Sequence, residues 1–388
     1  MDMNYLLIDN DDVRANLLPM TYTRPVSELR VGALTLREKW QHRLTGDYHY
    51  QTVNYLREIF PCACEPCADD TISIASDVIP NAEVAAAVAD LAVGEALFDN
   101  DGSWIATRGA ESVSKTVDCA VRRIARLTDI FTMNGEEIEA DFALLTAGRE
   151  STPVSQTVTV VGDRSRLFIE PGATVECCAI NVTHGSVYIG RNAEVMECSA
   201  LRGPIAVCDN SFVNMGSKIY GATTIGPWSK VGGELNNVVI HSYSNKAHDG
   251  FLGNAVIGSW CNLGAGCVAS NLKNDYTEIK LWNYPSHRFV RTGLQFCGLI
   301  MGDHSKAGIN TMFNTATVVG VGVNIHGTGF PRNFVASFSE GGTAGFSDVS
   351  MTKFFDVAAR VMARRGIELT EADRRMFYAI RDAAEAYK

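Results

Sequence analysis

The sequence predicts an α/β domain at the N-terminus, a parallel β-helix in the middle and two α-helices at the C-terminus. Strand and helix patterns alternate over the first 130 residues, which is typical of an α/β domain. An aliphatic residue then recurs at every sixth position from Ile189 to Val231, a period that fits neither an α-helix nor a flat strand. From Met351 onward, apolar residues return at helical spacing.

The N-terminal α/β domain is predicted to span residues 1–130. Residues 3–9 (MNYLLID) have the pattern of a buried strand, and apolar residues at helical spacing follow at 34–44. A second strand and helix are predicted over residues 71–94, and residues 103–107 predict a further strand. Residues 131–153 are predicted to link this domain to the next one.

The six-residue period predicts a β-helix over residues 154–345, with three faces per turn and one hexapeptide on each face. In such a prism the aliphatic residue faces the interior and a small residue turns the corner. A polar insertion at 271–295 is too long for a corner and is expected to stand out as a loop. Residues 346–388 are predicted to form a helical cap over the open end of the prism. The eight aliphatic residues are Ile189, Val195, Leu201, Val207, Val213, Ile219, Ile225 and Val231, and the residues four positions later are Ala193, Ser199, Ile205, Ser211, Ser217, Thr223, Ser229 and Leu235.

The composition excludes several classes of function. A net charge of −10 argues against nucleic-acid binding, although a local basic pocket for a phosphorylated ligand remains compatible with it. No apolar run is long enough for a membrane span and no signal peptide is evident, so eleven cysteines predict free thiols in the cytoplasm. Cys62, Cys64 and Cys67 form a C-x-C-x-x-C pattern without an obvious fourth ligand, which leaves a metal site and a plain surface loop both open.

His248 is the first candidate for a catalytic residue. The hexapeptide period breaks between Val231 and Ile257, where the sequence HSYSNKAHDGFLGN gathers histidine, lysine, aspartate and asparagine. Polar groups that interrupt a regular core are costly unless they are used. A histidine has an ordinary pKa of about 6.5 and suits a general base at neutral pH. The alternative is a histidine that only satisfies a hydrogen bond at a corner.

The stretch KAHDGFLGNAVIGSWCNLGAG resembles the acetyltransferase signature of the bifunctional N-acetylglucosamine-1-phosphate uridyltransferase/glucosamine-1-phosphate acetyltransferase family. The resemblance implies a left-handed β-helix, acetyl-CoA as donor and a homotrimer. It makes His248 the catalytic base, and Phe251 stands where the family has a sugar-binding tyrosine. Asn262 matches an asparagine near the amino sugar, while Ala265 and Asn271 match residues beside acetyl-CoA.

Two departures from the family pattern affect the expected acceptor. The arginine and lysine with which the family holds the sugar phosphate have no clean counterparts, and Lys218, Lys230 and Lys246 are the candidates to replace them. Leu272 replaces the tyrosine that follows the coenzyme-binding asparagine. The small-molecule acceptor is therefore expected to be an amino sugar phosphate or a sugar nucleotide, with glucosamine 1-phosphate only one of the alternatives.

The N-terminal domain resembles a short nucleotidyltransferase domain. In LLIDNDDVRANLLPMTYTRP, Arg14 matches the arginine of the family's nucleotide loop and Arg24 stands where a lysine precedes a proline. Asp77 matches an aspartate that holds Mg²⁺, if nucleotidyl transfer is active. The chain as a whole resembles GlmU-like sugar nucleotidyltransferases. Three functions stay open: acetyl transfer, transfer of a nucleotidyl group to a sugar 1-phosphate, and a non-catalytic scaffold.

Overall fold

The computed structural model describes residues 3–388, which form two compact units. The first unit comprises the chain up to Leu29, Leu34–Arg126 and Glu371–Ala379. The second comprises Arg30–Ala33, Leu127–Thr370 and Ile380–Lys388. The predicted order of an α/β unit, a parallel β-helix and C-terminal helices is confirmed.

The first unit is built on a six-stranded mixed sheet with the strand order β2-β1-β3-β6-β5-β7. The central strand β1 runs parallel to β2 and β3, and β6 runs antiparallel to β3. Leu7 and Ile74 on these strands and Trp40 on a helix are at most 1% exposed, so they form the core. The elements are β1 Asn4–Ile8, α1 Asp11–Asn16, α2 Leu36–Gln41, β2 Asp47–Gln51, β3 Thr71–Ala75, β4 Val78–Ile79, α3 Ala82–Ala89, β5 Glu95–Phe98, β6 Trp104–Arg108, β7 Val113–Thr116 and β8 Arg122–Arg123.

Side chains fix where the helices of this unit begin. The Asn10 side chain accepts hydrogen bonds from the backbone N–H groups of the first turn of α1. Thr35 and Glu38 form a reciprocal capping box at the start of α2. Asn81 caps α3 by accepting from the N–H of Val84 at 2.8 Å.

The second unit is a parallel β-helix that begins after two helices, α4 Asp129–Thr132 and α5 Asn134–Thr146. Helix α5 lies within the segment predicted as a linker and packs on strands of the prism. The first strands are β9 Thr159–Val161, β10 Leu167–Ile169, β11 Thr174–Val175, β12 Ala179–Asn181, β13 Val187–Ile189, β14 Glu194–Val195, β15 Ala200–Arg202, β16 Ile205–Val207, β17 Phe212–Val213, β18 Lys218–Tyr220, β19 Thr223–Ile225, β20 Lys230–Val231, β21 Glu234–Ile240, β22 Asn245–Lys246, β23 Phe251–Ile257, β24 Asn262–Leu263 and β25 Val268–Ala269. The later elements are β26 Lys280–Asn283, β27 Arg288–Arg291, β28 Ile300–Met301, β29 Lys306–Ala307, β30 Met312–Phe313, β31 Val318–Val319, β32 Asn324–Ile325, β33 Phe334–Val335, β34 Ser339–Gly342, β35 Gly345–Asp348, α6 Met351–Ala363 and α7 Glu371–Ala384.

The prism has three faces, which the chain visits in a fixed order. Face 1 holds β10, β13, β16, β19, the second halves of β21 and β23, and then β28, β31 and β33. Face 2 holds β11, β14, β17, β20, β22, β24, β29, β32 and β34. Face 3 holds β9, β12, β15, β18 and the first halves of β21 and β23, followed by the separate pair β25 and β30.

The eight periodic aliphatic residues fill the interior of this prism, as predicted. Each is at most 2% exposed. They stack in three columns because residues eighteen apart are paired on neighbouring strands: Ile189, Val207 and Ile225 on face 1, Val195, Val213 and Val231 on face 2, and Leu201 and Ile219 on face 3. The eight residues that follow four positions later are also buried, at 0–1% exposure.

The period breaks after Val231 because the next coil is shorter. Val231 pairs with Lys246 and Ile225 pairs with Ile240, so fifteen residues separate partners that were eighteen apart before. The shortened coil therefore places Lys246 in the inward column that valines occupy in the preceding coils.

The insertion at the corner between faces 3 and 1 folds back onto the prism. Its strands β26 and β27 form an antiparallel hairpin. Trp282 of β26 stacks on Phe334 of face 1, with ring centroids 4.1 Å apart. The insertion was expected to stand out from the prism, but these aromatic contacts hold it against the outer surface.

The C-terminal helices differ in where they pack. Phe354 of α6 contacts the ring of Phe338 near the end of the prism at 5.2 Å, and both are buried. Helix α7 is continuous, but its first nine residues are assigned to the first unit and its remaining residues to the second. No helix within residues 3–388 is long and apolar enough to cross a membrane.

Candidate functional site

His248 lies at the corner where the chain passes from face 2 to face 3. It follows β22 and precedes β23, and its side chain is exposed. The imidazole makes no hydrogen bond with any of residues 3–388. Both ring nitrogens are therefore available to a ligand.

Small residues open a notch in the corner ridge on both sides of His248. Gly232–Gly233 occupy this corner in the preceding coil, and Gly264–Gly266 (Gly-Ala-Gly) occupy it in the next one. Neighbouring coils lie about 4.8 Å apart. Further along the corner, Met215 is 67% exposed on one side and Ile309 is 70% exposed on the other. The imidazole thus stands in a glycine-lined gap between two apolar side chains.

The turn that carries His248 is held from the neighbouring coils. The Lys246 ammonium, inside the prism, donates to the carbonyl of His248 at 2.5 Å and to that of Gly232 at 2.9 Å. The side-chain amide of Asn214 donates to the carbonyl of Ala247 at 2.7 Å. Two consecutive carbonyls of the turn are therefore fixed, which limits how far the backbone of His248 can move.

Lys246 cannot hold a sugar in this arrangement, which corrects its predicted role. Its side chain is 2% exposed, and its ammonium already donates hydrogen bonds to two backbone carbonyls. Burial lowers the pKa of Lys246 to about 8, against weaker opposing effects of Cys267 and Asp249. Its contribution to the site is structural, through the His248 turn.

On face 2, polar side chains form an outward column beside the notch. Lys230 pairs with Asn245, Asn245 with Asn262, and Asn262 with Lys306. The Lys230 ammonium lies 4.3 Å from the centre of the Phe212 ring. Asn262 is exposed one coil beyond His248, so two predicted sugar-binding residues, Lys230 and Asn262, share this column.

On face 3, a second outward column begins just after His248. Lys218 pairs with Glu234, and Glu234 with Phe251. Lys218 also forms an ion pair with Glu234 at 3.5 Å, and both side chains are largely solvated. The Phe251 ring covers Gly253, where a Cβ atom would meet both Phe251 and Asn271. The structure thus brings Phe251 and Asn271 together.

Ala265 is the predicted residue nearest to His248 along the corner. The next residue, Gly266, donates its N–H to the carbonyl of Asp249 at 2.9 Å, which stacks the two turns directly. The N–H of Ala265 itself finds no acceptor within residues 3–388.

The predicted nucleotide-binding residues Arg14 and Arg24 belong to the first unit. The Arg14 guanidinium is buried and donates to Asp9 at 3.1 Å, to the carbonyl of Thr21 at 2.6 Å and to Tyr55 at 3.1 Å. These contacts make Arg14 a brace for its loop. Arg24, also buried, contributes its carbonyl to the same network.

Asp77 does not fit a magnesium ligand in this structure. The Arg123 guanidinium lies 3.2 and 3.4 Å from the two carboxylate oxygens of Asp77 and also contacts Asp99 at 3.2 Å. A cation is therefore already supplied by the chain at this carboxylate. Burial nevertheless raises the pKa of Asp77, with Arg123 opposing that effect.

The cysteines provide no metal centre of the expected kind. Within residues 3–388, no group of three His, Cys, Asp or Glu side chains is arranged to hold an ion. Cys62 donates its thiol to the carbonyl of Cys64 at 3.4 Å, and all eleven cysteines are free thiols.

Comparison with known proteins finds similarities mainly in the first part of the chain. A family model described as sugar nucleotidyl transferase matches residues 5–150. This part of the chain is therefore similar to sugar nucleotidyltransferases. The bifunctional protein GlmU of Trichodesmium erythraeum is 26% identical over 140 residues, which are 36% of this chain and 25% of that protein. The GlmU of Pseudarthrobacter chlorophenolicus is 28% identical over 231 residues, which are 58% of this chain and 39% of that protein.

The aligned regions span well under half the length of these GlmU relatives. Among solved structures, the match to the UDP-N-acetylglucosamine acyltransferase of Francisella novicida covers 61% of this chain and 76% of that chain, with 14% identity and a TM-score of 0.33. A TM-score that low carries no argument about function.

Three features of the corner were missed from the sequence. The brace from Asn214, the inward position of Lys246 and the notch formed by Gly232–Gly233 all depend on which residues stack on which. The shortened coil was the available signal, because counting fifteen residues from Val231 brings Lys246 to an inward position.

Proposed function

We propose that this chain transfers the acetyl group of acetyl-CoA to the amino group of an amino sugar phosphate or a sugar nucleotide, with His248 as the general base. The observation that carries the proposal is an exposed imidazole that has no hydrogen-bond partner among residues 3–388 and whose backbone is held in a glycine-lined notch. A histidine that only completed a corner hydrogen bond would have an acceptor or donor beside it.

The reaction forms one bond, breaks another and moves one proton in two steps. The amine attacks the thioester carbonyl, so the C–N bond forms and the C–S bond breaks. His248 accepts the ammonium proton from the attacking nitrogen and returns it to the thiolate of coenzyme A. The N–H of Ala265, which has no acceptor within residues 3–388, is the candidate to stabilise the oxyanion of the tetrahedral intermediate.

The two outward columns supply the remaining subsites of the proposal. Asn262 and Lys230 on face 2 would hold the sugar and its phosphate, and Lys218 and Phe251 on face 3 would border it. Ala265 and Asn271 would lie along the coenzyme. A homotrimer is part of the proposal, because it would bring a neighbouring prism to the open side of the notch.

The test is the rate at which free thiol is released from acetyl-CoA in the presence of hexosamine phosphates. His248→Ala should lower this rate at least about 100-fold, which is typical for loss of a general base. His184→Ala is the matched control, since His184 is exposed at a different corner. Equal rates for both variants would remove His248 from the mechanism, and an intact protein that binds no acyl-CoA would favour a scaffold.

Nucleotidyl transfer is the second candidate, and the family match over residues 5–150 favours it. It would produce a sugar nucleotide and pyrophosphate from a nucleoside triphosphate and a sugar 1-phosphate. No step is assigned to a metal at Asp77, because Arg123 occupies that carboxylate. Pyrophosphate release that depends on both substrates would support this activity, and no release at millimolar concentrations would exclude it.

A further inference from the structure

A cavity lies between the inserted hairpin and the prism, at the corner between faces 3 and 1. Its volume is about 710 Å³, within the usual range for small-molecule sites. We call it the hairpin pocket and define it by Lys273, Lys280, Trp282, Phe289, Arg332 and Phe334, which line it. His248 lies at a different corner of the prism and is not among the lining residues.

The charge of the hairpin pocket is opposite to that of the whole chain. Lys273, Lys280 and Arg332 line it without a single carboxylate, although the chain carries a net charge of −10. Lys280 and Arg332 are exposed and form no ion pair with any of residues 3–388. Glu278, an acid on the insertion, is paired with Arg291 at 3.1 Å and accepts from the N–H of Gly293 at 2.8 Å.

Lys273 is oriented by the insertion itself. Its ammonium donates to the carbonyl of Glu278 at 3.2 Å and to the hydroxyl of Thr277 at 3.3 Å. Both acceptors are uncharged, but the Asp275 carboxylate is also near: hydrogen bonds from Thr277 lower the pKa of Asp275, and the charge of Lys273 lowers it further. Lys280 and Arg332, which have no ion-pair partner among residues 3–388, together with the oriented Lys273 favour a ligand with phosphate groups.

Aromatic rings form one wall of the hairpin pocket. Trp282 stacks on Phe334 at 4.1 Å with an angle of 14° between the rings, and Phe289 meets the edge of Trp282 at 5.3 Å. Phe289 is 41% exposed, which is unusual for a side chain in such a cluster. Exposed rings beside cations are the common means of stacking a nucleobase.

Trp282 also carries a hydrogen-bond donor that the protein does not use. Its indole N–H is buried and has no acceptor among residues 3–388. A buried donor without a partner is costly, and sites for ligands are one place where that cost persists.

We propose that the hairpin pocket binds a nucleoside carrying at least two phosphates, with the base against Phe289 and the phosphates at Arg332 and Lys280. The hairpin pocket does not include His248. Two sources of this ligand are compatible with the chemistry. One is a nucleoside 5′-diphosphate, as carried by a sugar nucleotide, and the other is the adenosine 3′,5′-diphosphate portion of coenzyme A.

Isothermal titration calorimetry tests the site and its ligand. The purified chain is titrated with UDP and, separately, with adenosine 3′,5′-diphosphate, and the dissociation constants are compared. Arg332→Gln should weaken binding of the preferred probe at least about tenfold, a typical effect of losing one charged hydrogen bond. Arg288→Gln is the matched control, because Arg288 is an exposed arginine of the hairpin that does not line the pocket. Phe289→Ala should weaken binding about fivefold or more through lost stacking.

Each outcome has a defined meaning. Tighter binding of UDP would assign the pocket to a sugar nucleotide, and tighter binding of adenosine 3′,5′-diphosphate would assign it to the coenzyme. Binding that survives in His248→Ala would show that the hairpin pocket stands even if the proposed acetyl transfer fails. The proposal is overturned if neither probe binds at about 1 mM, or if Arg332→Gln and Arg288→Gln bind equally well.

Discussion

Replacing Lys246 by Met should change how the stability of the protein depends on pH. Lys246 is 2% exposed and pairs with Val231 in the inward column of face 2. Its ammonium group therefore lies inside the prism, away from solvent. Burial lowers its pKa from 10.5 to about 8. At about 1.4 kcal/mol for each pH unit, this displacement corresponds to roughly 3.5 kcal/mol.

The free energy of unfolding should rise with pH, because the chain takes up a proton at Lys246 when it unfolds. Between pH 8 and pH 10.5, Lys246 is largely neutral in the folded chain and charged in the unfolded chain. Unfolding therefore takes up a proton, and the free energy of unfolding rises with pH across this interval. Below pH 8 both states carry the proton, so the contribution of Lys246 is constant.

Urea denaturation of the wild type and Lys246→Met at pH 7, 8, 9 and 10 measures the effect. The difference in free energy of unfolding, wild type minus variant, should increase by about 2 kcal/mol from pH 7 to pH 10. Lys218→Met is the control, because Lys218 is exposed and its removal should leave the difference flat. A flat difference for Lys246→Met as well would refute the inward, partly desolvated position of this lysine.

Three further predictions concern the core and the two sites. Val213→Ala should lower the free energy of unfolding by about 2 kcal/mol, measured by urea denaturation, whereas Val161→Ala, at 45% exposure, should change it by less than about 0.5 kcal/mol. Arg123→Met should lower the free energy of unfolding of the first unit by roughly 2 kcal/mol at pH 7. This loss should become smaller as the pH falls toward 4, because a protonated Asp77 needs no cation beside it. A loss of stability that does not depend on pH would contradict this prediction. Asn214→Ala should reduce acetyl-transfer kcat about tenfold with KM nearly unchanged, because the turn that carries the base loses a support; unchanged kinetics would show that the brace is not needed.

The architecture could be predicted because it depends on a repeating constraint. Every coil must fill the same narrow interior, so the residues facing inward, such as Val195 and Val213, recur at a fixed spacing. That spacing survives in a single sequence. The sequence period therefore predicts which of these residues stack on one another.

The candidate site was predicted only in part, because it lies where the repeat changes. His248 and Ala265 follow from the resemblance to a known signature, and the structure puts them on adjacent turns. The position of Lys246 depends on a coil that is three residues shorter than the coil before it. Composition and spacing do not reveal such a change until the strand pairing is known.

Ion pairs and loop braces were the least predictable features. Arg14 matches a nucleotide-binding arginine by position, yet Asp9 and Tyr55 satisfy its guanidinium in the fold. The resemblance predicts that Asp77 binds a metal ion. The sequence does not show that Arg123, forty-six residues later, pairs with this carboxylate in the fold. Long-range partners of this kind decide whether a charged residue is free for a ligand.

The most direct measurement is a crystal structure of the protein with coenzyme A bound. If acetyl transfer occurs at the glycine-lined corner, the thiol sulfur should lie within roughly 6 Å of a ring nitrogen of His248, leaving room for the attacking amine between them. A thiol bound at another corner of the prism, or a corner too closed to admit it, would contradict the account.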